Sequence, residues 1–364
     1  MNLHFLGSLM VAMVTAGSLA ANRALAVPEF IALTNFSSFQ VTTNPSSGLI
    51  TLESPVRTTA APWNELLLSW NATTPNESGC EFQAQAVFED HTSTFYGLGA
   101  WSEQTNQFAR HSLGKQKDLD GEVDTDVLRL AGSAGGFRVR VILHPTQSGE
   151  RPQLRLLTVS LINTRSEISS GTRVSGLRNK TLEVPQRSQH AYAGGRSWCS
   201  PTAVSMVLQY WAQRLGRPEL RVDVPEVASG VFDPGWNGTG NWPFNVAFAG
   251  RSAALYSYVA RLGDLGDVEQ LIARDIPVVI SVSLNLVRGR PAQEGDGHLI
   301  VVTGFNVEGD VWVNDPDATH PPAAGKPIRR LYRREAVERG WAVSRRTAYV
   351  IQDRNLPLNW RPLP

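Results

Sequence analysis

The apolar residues of this chain change their spacing once, near Val184, and one layered architecture does not accommodate both patterns. Before that point, short runs alternate apolar with polar residues: Phe39–Thr42, Leu66–Trp70, Phe82–Val87, Phe95–Leu98, Val127–Leu130, Phe137–Leu143 and Leu154–Leu161. Clusters of Gly, Pro, Asn and Asp separate them. Short strands punctuated by turn residues predict an all-β, jelly-roll-like sandwich over residues 27–165. Arg138 and Arg140 alternate with Val139 and Val141, so one face of that strand is wet.

Residues 166–183 are polar, contain Gly and Ser, and predict a linker. Beyond them the period becomes helical. Val204, Val207, Leu208, Trp211 and Leu215 predict a helix over Pro201–Leu215. A second helix is expected over Val246–Leu262. A third, over Asp267–Arg274, leads into a strand at Pro277–Val282. His298–Phe305 and Val311–Pro316 read as two strands joined by a turn at Val307–Asp310. A short helix over Arg333–Gly340 and a strand over Thr347–Ile351 complete an α+β domain at 184–355, leaving 356–364 as a tail. A length of 364 residues agrees with two domains.

Charge narrows the function classes. Thirty-four basic residues face 33 acidic ones, so neither nucleic acid nor an anionic membrane is an expected partner. No P-loop motif is present, and ATP is not expected. The run Leu3–Ala21 is apolar and small, and Ala24-Leu25-Ala26 supplies a small-x-small site. A signal peptide over 1–26, cleaved after Ala26, is expected, which places the protein outside the cytoplasm, secreted or periplasmic. No later stretch is long and apolar enough to span a bilayer. The chain has two cysteines. A Cys80–Cys199 disulfide would need close approach between the domains, so both are expected free, with Cys80 a half-buried thiol.

Cys199 has the richer context. It follows the glycine-containing loop Gln189–Trp198 and precedes Ser200-Pro201-Thr202, where proline suits a first helical turn. The thiolate is the reactive form, and a helix N-terminus with a cationic histidine lowers a thiol's pKa. His298 stands after Gly297 at the head of an apolar strand and is the favoured base. His190 lies in the loop before Cys199, His320 in a Pro-rich turn, and His91, His111 and His144 in the β half. If Val307–Asp310 is the turn, Asp315 falls at the same strand end as His298. Asn314 faces the opposite side, so only one of the two can orient the imidazole. Gln186 and Gln189 both precede the nucleophile, and Gln189 is favoured as the side-chain donor to an oxyanion. The acidic stretch Asp118–Asp126 lacks calcium-loop spacing and reads as a solvated edge. No metal or cofactor is expected.

The segments Val184–Gln189 and Trp198–Trp211 resemble the peptidase C-39-like family, papain-fold cysteine peptidases related to the bacteriocin leader peptidases of export transporters. Gly297-His298 and Asn314-Asp315-Pro316 are similar to that family's histidine and aspartate motifs, in order and context. The resemblance covers roughly Val184 to Ile351. It implies a papain-like fold, a Cys199–His298–Asp315 triad and Gln189 as oxyanion donor. One departure matters: bacteriocin peptidases usually have Cys-Gly where this chain has Cys199-Ser200. Double-glycine leader specificity and a transporter link are therefore not carried over. The β half resembles modules that precede such domains in secreted bacterial proteins. Its expected ligand is a cell surface or carbohydrate, with Trp63, Trp70 and Trp101 as sugar platforms or, more often for such residues, as core.

The expected function is a cysteine peptidase acting on a peptide or protein through an acyl-enzyme. Two rivals stand beside it. One is transglutaminase-like or cell-wall amidase acyl transfer at the same site. The other is a peptidase-fold binding protein without activity.

Overall fold

The computed structural model describes residues 28–105, 108–166, 179–319 and 327–359. The expected signal peptide, most of the expected linker, His320 and residues 360–364 lie outside the described residues.

The first half is built from β1 (Glu29–Leu33), β2 (Gln40–Thr43), β3 (Ile50–Glu53), β4 (Arg57–Thr73), β5 (Gly79–Val87), β6 (Tyr96–Trp101), β7 (Gln116–Lys117), β8 (Gly121–Asp124), β9 (Val127–His144) and β10 (Gln153–Ile162). These ten strands form one hydrogen-bonded network. Its hub is β9, an 18-residue strand that changes neighbours along its length. Val127–Arg129 pair with β8 on one side and β4 on the other, whereas Arg140–Leu143 pair with β5 and β3. Register shifts between β4 and β9 around Trp63 mark where the long strands bend. The sequence reading divides β9 in two because Gly132, Gly135 and Gly136 break the alternation.

Trp63, Trp70 and Trp101 are at most 1% exposed, which removes them as sugar platforms. Trp70 lies flat on Phe82, with ring centroids 3.9 Å apart. Cys80 is fully buried rather than half-buried, and that burial pushes its thiol far up. Arg138 and Arg140 keep their wet face by pairing with Glu53.

The second half contains β11 (Lys180–Thr181), α1 (Cys199–Leu215), α2 (Val224–Val231), α3 (Trp242–Ala249), β12 (Leu255–Arg261), α4 (Leu265–Ala273), β13 (Val278–Ser283), α5 (Leu284–Val287), β14 (Gly297–Phe305), β15 (Val311–Asn314), β16 (Arg329–Tyr332), α6 (Arg334–Ala342) and β17 (Thr347–Asp353). Its sheet runs β12-β17-β13-β14-β15-β16, with β11 beside β14. Helix α1 is buried on nearly every side and ends at Gly216, whose φ of 62° suits glycine.

The expected helix over Val246–Leu262 is corrected. The Asn241 side chain accepts from Phe244 N and starts α3 earlier, at Trp242, and α3 ends before Gly250. Tyr256, Tyr258 and Val259 then form strand β12, as aromatic and β-branched residues prefer. Helix α2 has no counterpart in the sequence reading, although Asp223 caps it and Pro225 follows.

The halves join along β12, an edge strand of the second sheet. Its outward amides at Ser257, Val259 and Arg261 donate to Asn71 Oδ1 (3.0 Å), Ser69 Oγ (2.9 Å) and Ser160 Oγ (2.8 Å) of the first half. Asn71 Nδ2 returns a bond to Ser257 O at 2.6 Å. Side chains of one sheet thus satisfy every second amide on the edge of the other, which would otherwise be buried unpaired. One apolar core runs through both halves.

Candidate active site

Cys199 is the first residue of α1, and it is half-buried. The backbone folds there because Trp198 O accepts from Thr202 N at 2.9 Å, closing the first turn without a side-chain cap. His298 is the second residue of β14, opposite Val282 of β13, and 5% exposed. Its Nε2 lies 2.8 Å from Asp315 Oδ1, and the ring is near enough to the Cys199 thiol to draw its pKa down. With Nε2 on the carboxylate, Nδ1 is the nitrogen left for sulfur.

Register explains the convergence. Val301 of β14 pairs with Asn314 of β15, so Asp315 lies opposite Ile300 and shares the face of His298. Asn314 faces the other way, and its Nδ2 donates to Val184 O at 2.9 Å.

Electrostatics favour a charged pair. Burial raises the Cys199 pKa, but the His298 hydrogen bond and charge, helped by the amides of Leu299 and Ser200, outweigh it and bring the thiol below its ordinary value. Burial lowers the His298 pKa, yet its bonds to Asp315 and Cys199 push it up to about 10. Asp315 is desolvated too, and His298 and Arg288 nonetheless hold it well below the usual carboxylate range. Cys199, His298 and Asp315 form a coupled line in which each group favours the opposite charge on its neighbour.

Several residues at this site escape sequence reasoning. Asp315 is fully buried, and Arg288 (2.9 Å) and the Tyr332 hydroxyl (3.0 Å) both donate to its Oδ2. The Asp317 amide donates to Oδ1 at 2.9 Å. Arg288 also reaches Asp317 Oδ2 at 2.8 Å, and Asp317 Oδ1 lies 2.8 Å from His190 Nε2. Arg288 follows the single-turn helix α5, and Tyr332 ends an edge strand. Nothing in local spacing marks either. Asp317, two residues past Asp315, is the one a closer look at Asn314-Asp315-Pro316-Asp317 would have found.

Gln186 is exposed, whereas Gln189 is 4% exposed, in the turn before the nucleophile. Gln189 N donates to Pro316 O at 3.0 Å and its Nε2 to Arg196 O at 2.8 Å. An amide nitrogen has two protons, so one remains for an oxyanion. Gly194 adopts φ 83°, and Gly195 passes so close to Gln189 that a Cβ there would meet Gln189 O at 1.8 Å. The two glycines are therefore a tight turn that seats Gln189. Gly195→Ala must displace that turn. We expect kcat/KM to fall about a hundredfold, the cost of a misplaced reacting group, with the melting temperature lowered by only a few degrees. Steady-state kinetics with a thermal scan checks this; unchanged kcat/KM would separate Gln189 from the chemistry.

The remaining described histidines sit elsewhere, His91 between Asp90 and Asp120 and His144 against Glu81. The acidic stretch is not wholly a solvated edge. Asp126 is buried and accepts from Trp242 N across the interface, and burial pushes its pKa up to about 7. Among the described residues no group of three or more His, Cys, Asp or Glu is arranged to hold a metal ion.

Comparison with known proteins gives two family matches. Residues 31–161 match the Peptidase C39 N-terminal domain, and residues 181–349 match the Peptidase_C39 like family. A solved structure from Bacillus anthracis described as a C39-like peptidase is 16% identical and covers 48% of this chain and 99% of its own, with a TM-score of 0.38, too low to argue from. No curated protein matches the chain.

Proposed function

We propose that this chain, whose residues 181–349 match the Peptidase_C39 like family, is a cysteine-type hydrolase of amide bonds in a peptide or protein. The observation that carries this reading is the line from the Cys199 thiol through His298 to the buried Asp315. The thiolate attacks the carbonyl carbon, and the carbonyl electron pair moves onto oxygen. Gln189 Nε2 and the Cys199 amide are the donors offered to that oxyanion. Collapse breaks the C–N bond as the His298 imidazolium protonates the leaving amine. The imidazole then takes a proton from water, whose oxygen attacks the thioester, and the acid leaves as the thiolate reforms. Asp315 keeps the ring oriented throughout. The apolar segment Leu3–Ala21 supports export, and we propose a secreted or periplasmic location.

Thiol reactivity tests the proposal without a known substrate. At about pH 5.5, roughly three units below the pKa of a free thiol, iodoacetamide should label Cys199 and leave Cys80 untouched. Labelling of Cys199 that sets in only near the pKa of a free thiol, at about pH 8 and above, would remove the depressed pKa. On a cleaved peptide, kcat/KM should trace a bell. It falls on the acid side as the thiolate gains a proton, and on the alkaline side near about 10 as His298 loses its own. Product analysis with an amine acceptor present separates hydrolysis from transfer.

A further inference from the structure

The segment between α2 and α3 is pinned at both ends, one to the first half of the chain and one to the nucleophile turn. Asp233 is fully buried. Its Oδ1 accepts from Ser112 N (2.9 Å), Ser112 Oγ (3.3 Å) and Gly235 N (3.0 Å), and its Oδ2 from Asn241 Nδ2 (2.9 Å). Arg110, 5% exposed, reaches across from the first half. It donates to Ser229 O (2.9 Å) and Phe232 O (3.2 Å), while a third bond holds its own Ser102 O (2.9 Å). A buried guanidinium and a buried carboxylate of opposite halves thus bind each other's backbone. Gly235 completes the clasp, because a Cβ there would meet Ser112 O at 2.8 Å. At the other end, Thr239 Oγ1 donates to Ser197 O at 3.1 Å, two residues before Cys199.

Between these anchors the chain makes a tight hairpin, with Asp233 and Gly238 paired through both backbone bonds. Trp236 stands at its tip, 51% exposed, the most exposed of the described tryptophans. The ring lies over Gly238 and Gly240, where added Cβ atoms would meet it at 2.7 and 3.0 Å. An indole laid on a hairpin pinned to the turn that precedes the nucleophile presents apolar area at little entropic cost.

We propose that the β half is a working part of the substrate cleft. Arg110 and Asp233 are positioning residues that hold the 233–240 hairpin beside the nucleophile turn. Trp236 is a specificity-determining residue that receives an apolar side chain of a peptide. This rests on the hydrolase reading and extends it to a substrate class and to a role for the first half beyond targeting.

The test compares two electrophiles on the full chain. Iodoacetamide reports only the thiolate; a peptidyl chloromethyl ketone with apolar side chains reports thiolate and cleft together. Trp236→Ala and Asp233→Asn should each slow peptidyl labelling of Cys199 about tenfold or more, the scale of one lost apolar contact in a pocket. Iodoacetamide labelling should keep its rate and its pH midpoint. Trp236 is exposed at a loop tip, so its variant keeps the proposal testable if Asp233→Asn fails to fold. The proposal is overturned if Trp236→Ala leaves peptidyl labelling within about twofold of the native chain, a change too small for a lost pocket contact. It is also overturned if Asp233→Asn slows both reagents equally, since the β half would then support folding alone. A native Cys199 no more reactive than an unfolded thiol would instead overturn the hydrolase reading, a failure visible before any variant is made.

Discussion

Replacing Cys199 with Ser lowers kcat as far as replacing it with Ala, on the order of 10⁴-fold or more for each. A serine hydroxyl is a competent nucleophile only when a neutral base takes its proton during attack. This site is arranged for the opposite protonation. Asp315 bonds Nε2 at 2.8 Å and is the largest of the influences that hold the imidazole protonated. That influence survives in the variant. The hydroxyl therefore faces a ring that Asp315 still biases toward the imidazolium, a form that donates a proton and cannot accept one. Alanine lacks the nucleophile altogether, so both variants converge on what the oxyanion donors and substrate binding provide alone. Cys80 cannot substitute, being fully buried in the first half. Single-turnover kinetics on the two variants checks this. A serine variant that keeps more than about one hundredth of native kcat would mean a neutral imidazole and no preformed ion pair.

The sequence exposes those parts of this site that rest on local rules. The start of α1 is visible because Pro201 and the apolar spacing after it have few other structural uses. The relation of His298 to Asp315 is visible because a turn fixes antiparallel register, and register fixes faces. Face parity also sends Asn314 to Val184 O, away from the imidazole. What is hidden depends on contacts far along the chain. Arg288 meets Asp315 only because β14 holds β13, which leads into α5, on one side and β15 on the other, and arginine 27 positions upstream carries no periodic signal. Tyr256 and Tyr258 read as helix because Phe248 and Leu262 stand at compatible intervals. The outcome is set by Gly250 and by the polar face of the first half, whose Ser69, Asn71 and Ser160 need an extended strand to bond. The same serines and asparagine look like ordinary wet-face residues of a sandwich until the second sheet covers them.

Asp315→Asn should lower kcat by about 10²- to 10⁴-fold and narrow the pH profile from both sides. The substitution keeps shape and removes charge. An asparagine oxygen can still accept from the Asp317 amide and from His298, now as a neutral dipole. Its nitrogen must then face Arg288 and Tyr332, both of which donate to the native carboxylate. The buried His298 loses its counter-charge, and the half-buried Arg288 keeps only that of Asp317. The His298 pKa falls from about 10 because its largest raising influence is gone, so the alkaline limb moves down. A less protonated imidazole supports the Cys199 thiolate less, so the acid limb moves up. Stability should fall by about 3 kcal/mol, the usual cost of breaking a buried pair by removing one partner. Arg288→Gln is the informative contrast. It leaves Asp315 with His298, Tyr332 and the Asp317 amide, so its alkaline limb should move less than that of Asp315→Asn, while Asp317 and His190 lose their tether. Rate profiles across pH with thermal unfolding of both variants decide the matter. An alkaline limb unmoved in Asp315→Asn would show that the carboxylate does not hold the imidazolium, and that the line of charge ends at His298.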